Sequence, residues 1–316
     1  MNQPLFISSG DLIADRRFTF AQDLVARGDL AAAAELLAQT VEAAPLFAAA
    51  WFALGDIRER CGDREGAARA FHEALAADPQ DRCGATLRLS RLGATAGGMP
   101  RGYVRALFDQ YAPVFDRALI EGLNYRGPAL LREAIAAACG RRGRALHFAR
   151  VLDLGCGTGL AGAEFRAHAL FLEGVDLSER MIARARDKNI YDRLHAGDLT
   201  AFLHGTRESY DLVLAADVFV YVADLAGAAR EVARILLPGG LFAFTTETHD
   251  GDDVILRETL RFAHSRACVE RALRDAGLDE LSIEPLPARA EKGVPVPGLV
   301  VVGAAPTAYD AAGARP

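Results

Sequence analysis

The stretch VLDLGCGTGL, residues 151–160, sets Gly155, Gly157 and Gly159 directly after an apolar run, with one acid, Asp153, just before them. Glycines in that spacing let a ligand lie on bare backbone, and the amides that open the next helix favour a negative group. Asp153 stands where a cationic amino group would be met. Two further acids close later strand-like runs. Asp176 ends FLEGVD, 21 residues after Gly155, where a carboxylate accepts protons from both hydroxyls of a ribose. Asp198 ends IYDRLHAGD, placed to meet the amino group of an adenine. A dinucleotide fingerprint, G-x-G-x-x-G, would need a glycine where this chain has Leu160, so the spacing argues against NAD. A nucleoside carrying an ammonium and a carboxylate fits better.

The motifs VLDLGCGTG, GVDLSERMI, AGDL, YDLVLAADVFVYV and LLPGGLFAFTTE occur in that order. Through them, residues from about 103 to 304 resemble a class I S-adenosylmethionine-dependent methyltransferase. The whole chain further resembles bacterial methyltransferases that carry N-terminal tetratricopeptide repeats. The resemblance implies S-adenosylmethionine as cofactor. It implies that Gly155, Gly157 and Gly159 line the methionine moiety, Asp176 holds the ribose, and Asp198 with Leu199 contacts the adenine. Met181 would pack near the adenine ring, and serves equally as a core residue. Thr158, Leu177 and Asp217 complete the expected cofactor shell. The stretch YVRALFDQYAPVFDRAL (103–119) resembles the FD-x-YA-x-x-FD helix that caps the cofactor in small-molecule methyltransferases, with Tyr111 as its inward contact.

Methyl transfer from a sulfonium is an in-line displacement, so alignment supplies much of the rate. A general base is needed only when the acceptor is protonated at working pH. Candidates for catalysis are Asp217 and Tyr221, after the fourth strand, and His264 in RFAHS (261–265). Many members of the resembled family carry a histidine where this chain has Tyr221, so a histidine base is not assumed there. An ordinary imidazole at His264 would titrate near neutrality and suit proton removal from a hydroxyl. Phe219, Tyr221 and Phe262 suit an apolar or carrier-bound small-molecule acceptor, with O-methylation as the expected chemistry. The repeats suit a protein partner. The alternatives are a protein methyltransferase whose repeats bind the substrate, or a non-catalytic scaffold.

The elements that must position these residues alternate from residue 147 onward, which argues for a parallel sheet with helices on both faces. HFARVLDLG, FLEGVD, IYDRLHAGD, YDLVLAAD and GLFAFTTET read as strands one to five. LAGAEFRAH, SERMIARARD and LAGAAREVARILL read as intervening helices. The segment 286–304 ends in a strand after a Pro/Gly-rich turn, which suits a sixth and seventh strand paired as an antiparallel edge hairpin. The expected fold is thus α/β, a Rossmann-like seven-stranded sheet preceded by an all-α repeat domain. The loops bearing Asp217–Tyr221 and 261–265 should reach the same end of that sheet.

Residues 48–81, AAAWFALGDIRERCGDREGAARAFHEALAADPQD, carry the tetratricopeptide pattern. Trp51, Leu54, Gly55, Ala67, Phe71 and Pro79 fall in register, and Arg58 replaces the usual tyrosine. A fainter copy lies 34 residues earlier, pairing Pro45 with Pro79 and the GD at 28–29 with that at 62–63. One good and one degenerate repeat leave an apolar face open, so this region is expected to pack on the catalytic domain or on a second copy of itself. DRCGATLRLSRLGA reads as a capping helix, ended by GGMPRG (97–102). The boundaries follow as 1–95 for the repeats, 96–127 for a linker and cofactor-capping helix, and 128–306 for the methyltransferase domain.

Composition sets the outer limits. Of 316 residues about half are apolar and a quarter charged, ordinary for a globular chain of two domains. The net charge of −6 argues against nucleic acid as the main partner, although residues 96–150 carry nine basic and four acidic groups. The five cysteines are scattered with no CxxC, so neither a disulfide framework nor a metal site is expected. MNQPLFISSG lacks the pattern of a signal peptide, and no apolar run approaches a membrane span. Together these point to the cytoplasm.

Overall fold

The computed structural model describes residues 8–93, 98–291 and 293–307. Most of the leader reading at residues 1–7, and Gly97 of the 97–102 breaker, lie outside the described residues. The chain divides into two compact units, residues 1–110 and 111–316.

The first unit is helical: α1 (Leu12–Ala26), α2 (Leu30–Ala43), α3 (Ala48–Arg60), α4 (Arg64–Ala77), α5 (Ala85–Arg91) and most of α6 (Arg101–Tyr111). The repeated GD dipeptide is the turn between paired helices. Gly28 and Gly62 end α1 and α3 in the left-handed region, at φ 85° and 84°. The aspartates that follow cap the next helices: Asp29 accepts from the Ala32 amide and Asp63 from the Gly66 amide. Leu54 and Phe71 are buried in the α3–α4 seam, and the Trp51 indole donates to the Pro45 carbonyl at 2.9 Å. Arg58 replaces the repeat's tyrosine by reaching across the pair to the Gly66 carbonyl at 3.2 Å.

The second unit is built on a sheet. Its strands are β1 (Phe148–Leu154), β2 (Ala169–Asp176), β3 (Arg193–Ala196), β4 (Tyr210–Ala215), β5 (Leu236–Glu247), β6 (Val254–Leu256), β7 (Phe262–His264), β8 (Asp279–Glu284), β9 (Ala290–Glu291), β10 (Val294–Pro295) and β11 (Gly298–Ala304). The helices are α7 (Phe115–Arg117), α8 (Gly127–Arg141), α9 (Leu160–Phe165), α10 (Glu179–Asp187), α11 (Leu199–Gly205), α12 (Leu225–Ile235) and α13 (Arg266–Asp275). The main sheet runs β3-β2-β1-β4-β5-β11-β8, parallel through the first five strands, with β11 antiparallel to both its neighbours. These seven strands form the expected α/β arrangement, and β7 with β6, joined to β5 off this path, brings the sheet to nine.

The central strands are buried on both faces, so β4 and β11 read as near-continuous apolar runs, whereas the edge strand β3 does not. Val151, Leu212, Leu214, Leu241, Val300 and Val302 pack towards α8 and α9. Their neighbours Leu152, Leu154, Val213, Phe242, Phe244 and Val301 pack towards α12 and α13. Strand order reverses between β1 and β4, which opens a crevice beyond their carboxyl ends.

Three readings of the sequence change here. Strand three stops at Ala196, and Asp198 lies beyond it as the N-cap of α11, accepting from the Ala201 amide at 2.9 Å. RFAHS is not a loop: Phe262–His264 is strand β7, antiparallel to β6 and joined to the end of β5 by a single Glu247–Ala263 bridge. The expected edge hairpin is instead the edge strand β8 paired to β11, which is interior between β5 and β8, and the loop joining them holds its own small hairpin, β9–β10. Among the described residues no helix is long and apolar enough to cross a membrane.

Candidate active site

The glycine loop turns out of β1 with all three glycines at positive φ. Gly155 has a further reason to be glycine: a Cβ there would lie 2.5 Å from Val218, so the loop after β4 packs directly on it. The Gly157 amide donates to Asp176 Oδ2 at 2.9 Å, and the Ser178 amide donates to Asp176 Oδ1 at 2.8 Å. Asp176 is half-buried. A carboxylate held in this way is an acceptor only, the chemistry that a pair of ribose hydroxyls calls for. Ser178 in turn caps α10 through the Met181 amide, which fixes the turn containing Leu177. Leu177 and Leu199 are half-buried, whereas Met181 is fully buried and behaves as a core residue.

Asp153 is 1 % exposed. Its Oδ2 accepts from the Tyr191 hydroxyl at 2.6 Å, while Oδ1 is buried with no hydrogen-bond partner. Burial, reinforced by the nearby Asp176 charge, pushes its pKa up to about 7 against the opposing hydrogen bond from Tyr191. A buried oxygen left open on a carboxylate calls for a cation, so the site fits a ligand with an ammonium.

Above the loop lies the segment after α6. Phe115 stands over Gly157, 3.7 Å from where a Cβ would be. The Thr158 hydroxyl and the Lys188 ammonium both bond Asp116, the latter at 2.8 Å. A cavity of about 440 Å³ between this segment and α10 is lined by Ala112, Val114, Asp116, Thr158, Arg184 and Lys188. Tyr111, the first residue of the second unit, is half-buried at the end of α6. Sequence reasoning overlooked Phe115 and Asp116, although both sit in the FD pair of the motif it quoted.

On the other side of the crevice, Asp217 and Tyr221 follow β4 as expected. Asp217 holds φ 60°, with its amide on Thr245 Oγ1 at 2.8 Å and both carboxylate oxygens on Arg289 Nη1 at 2.6 and 2.8 Å. Arg289 is almost fully buried and also bonds Glu247, the acid that ends β5. Arg257 approaches Glu247 at 3.3 Å, and Arg261 bonds Glu291 at 3.0 Å while its guanidinium stands 5.9 Å from the Tyr221 ring centroid. Three arginines and three acids, from the loop after β4, the end of β5, the β6–β7 turn and the start of the β9–β10 hairpin, thus form one ionic wall. Tyr125 stands within electrostatic reach of both Asp217 and Asp153, and burial with those charges holds its phenol well above its ordinary range. Arg289 and Tyr125 had no signal in sequence, because Asp217 and Arg289 are 72 residues apart and lie in no shared motif. Glu247 had one: it closes a strand, as Asp176 does.

His264 is corrected. Its side chain is wholly buried, Nδ1 lies 3.0 Å from Thr246 Oγ1, and burial drives the pKa down to about 4 instead of near neutrality. It is neutral at pH 7 and a weak proton acceptor.

Comparison with known proteins identifies the family of each part of the chain. Residues 152–244 match the methyltransferase domain family, and residues 18–82 match the tetratricopeptide repeat family. The malonyl-[acyl-carrier protein] O-methyltransferase of Enterobacter lignolyticus is 33 % identical over 135 residues, 43 % of this chain and 53 % of that protein. The ubiquinone biosynthesis O-methyltransferase of Aromatoleum aromaticum is 26 % identical over 165 residues, 43 % of this chain and 69 % of that one. The chain spans about half the length of the malonyl-[acyl-carrier protein] O-methyltransferases of Enterobacter lignolyticus and Salmonella typhimurium. Among solved structures, Burkholderia thailandensis 1,6-didemethyltoxoflavin-N1-methyltransferase, with bound 1,6-didemethyltoxoflavin and S-adenosylhomocysteine, superposes with a TM-score of 0.50 at 18 % identity. The match covers 67 % of this chain and 92 % of that one; at that identity it speaks for the fold alone.

Proposed function

From a chain that carries a methyltransferase domain behind tetratricopeptide repeats, we propose an S-adenosylmethionine-dependent O-methyltransferase acting on a small or carrier-bound acceptor, with the repeats docking a protein partner. The observation that carries the cofactor reading is the glycine loop between two acids of different character. Asp176, anchored by two amides, suits ribose hydroxyls, and Asp153, with its buried open oxygen, suits the ammonium of the methionine end. Bound there, the cofactor supplies an electrophilic methyl group on a sulfonium. The chain's part is to hold it, keep water out and present the acceptor oxygen in line.

Oxygen as the acceptor atom is supported by the two O-methyltransferase relatives. The chemistry beside the crevice narrows it further. His264 is buried and weakly basic, and Asp217 is engaged by Arg289. His264 is therefore not poised to take a proton near pH 7, and both carboxylate oxygens of Asp217 are taken up by Arg289. An acceptor already ionised at that pH, such as a carboxylate, needs no base, and Tyr221 and the ionic wall then serve orientation. The repeat region, with its paired helices, supports docking of the carrier or of a partner protein.

Calorimetric titration with S-adenosylhomocysteine tests the cofactor reading. Asp176→Ala should weaken binding at least tenfold, since each charge-assisted hydrogen bond is worth about 1.5–3 kcal/mol. NAD should give no heat. Unchanged affinity in that variant would sink the assignment.

A further inference from the structure

The Tyr191 ring sits in a slot made of glycine. A Cβ at Gly162 would come 2.2 Å from its hydroxyl oxygen, one at Gly159 3.0 Å from its Cε2, and one at Gly174 3.0 Å from its Cε1. These glycines come from the N-cap and body of α9 and from β2, so two elements leave room for one phenol. Gly159 therefore answers to Tyr191 as well as to any ligand. Inside the slot the hydroxyl donates to Asp153 Oδ2, and Oδ1 stays buried and open. A tyrosine that served packing alone would not need its oxygen aimed at a buried carboxylate.

We propose that Tyr191 is a positioning residue for the cofactor: by occupying Oδ2 it fixes the Asp153 rotamer, favours the ionised carboxylate and leaves Oδ1 for the ammonium. This rests on the cofactor reading above. Four other groups face Asp153. The Gly162 amide favours its charge and Asp176 disfavours it, while Cys156 and Tyr125, both pushed well above their ordinary ranges, stay neutral. With its pKa at about 7, Asp153 must shed a proton to take the ammonium at pH 6 and need not at pH 8. Removing the Tyr191 hydroxyl takes away one of the influences that lower that pKa, so the pH at which affinity is half lost should rise.

The test is titration of the full chain with S-adenosylhomocysteine between pH 5.5 and 8.5. Wild-type affinity should fall about tenfold per unit below pH 7 and level off above it. In Tyr191→Phe, which keeps the ring in its slot, the midpoint should move up by about one unit or more. In an Asp153→Asn background the pH dependence should vanish, and Tyr191→Phe should add nothing. A uniform loss at every pH, with the midpoint unmoved, would make Tyr191 a packing residue and overturn the proposal. So would full additivity with Asp153→Asn. Should Tyr191→Phe fold poorly, proton release by wild type, counted from the heats in two buffers, must approach one at pH 6 and none at pH 8.5. Wild type that binds no S-adenosylhomocysteine at any pH would instead remove the cofactor reading itself.

Discussion

At the scale of single residues, two buried groups pull stability in opposite directions with pH. His264 has its folded pKa lowered from 6.5 to about 4, so the unfolded chain binds more protons between those values. Its contribution is present above pH 6.5 and lost as pH falls towards 4, by about 3 kcal/mol at most. Asp153 is raised from 3.8 to about 7, so the folded chain binds more protons in that window. Its contribution is present below pH 3.8 and lost as pH rises through 7, on the order of 4 kcal/mol. Asp153→Asn should therefore raise the melting temperature of the ligand-free protein at pH 8, by roughly 2–4 °C per kcal/mol, and change little at pH 4. His264→Gln should flatten the acid limb while turnover stays within a few-fold of wild type. A hundredfold loss of turnover with the fold intact would return His264 to the mechanism. Both measurements are calorimetric melts across pH, with a methyl-transfer assay for the second. The type and place of Asp153 and Asp176 were legible in the motif, because a strand-end acid beside glycines has few structural uses. The environment of His264 was not, since burial on a hairpin depends on contacts with β5 that its local sequence does not encode.

At the scale of elements, the five parallel strands and their helices were legible because burial on both faces and cap residues leave marks in sequence. Asp198 was placed at a strand end when it caps α11, and the two uses look alike from a short GD pair. The β6–β7 hairpin escaped because three-residue strands carry no period to read. Among the repeats the small-residue rule is testable. Gly55, inside α3, faces the Phe71 ring of α4, and a Cβ there would sit 2.6 Å from that ring. Alanine would gain about 1 kcal/mol as the better helix former. Overpacking a fully buried phenyl costs about 1–3 kcal/mol, and Phe71 has no exposed side to move towards. The larger effect wins, so Gly55→Ala should lower the midpoint of thermal unfolding followed by circular dichroism. A midpoint raised by the helix propensity alone would show that the α3–α4 pair adjusts freely.

At the scale of the whole molecule, the chain joins two units with separate apolar interiors. The sequence reading expected the repeats to pack on the rest of the chain or on a second copy of themselves, since two repeats leave a face open. Leu12, Ile13, Phe20 and Leu46 are indeed exposed in the first unit. Its interior is nevertheless its own. One cluster gathers Phe18, Leu37, Phe47, Leu54 and Ile57, and a second gathers Ala67, Phe71, Ala74 and Leu89, all from α1 to α5 and the loop before α3. The sheet unit keeps its two clusters within residues 130–305. Interiors without shared members favour separate cooperative transitions, because each can lose its packing while the other keeps it. Scanning calorimetry of the full chain should then give two transitions. Saturating S-adenosylhomocysteine should move only the one belonging to the sheet unit, by mass action, about 2.7 kcal/mol at a hundredfold excess over Kd. Gly55→Ala should move only the other. A single transition that both the ligand and Gly55→Ala displace would mean that the repeats depend on the methyltransferase unit for their stability, as the count of repeats alone suggests.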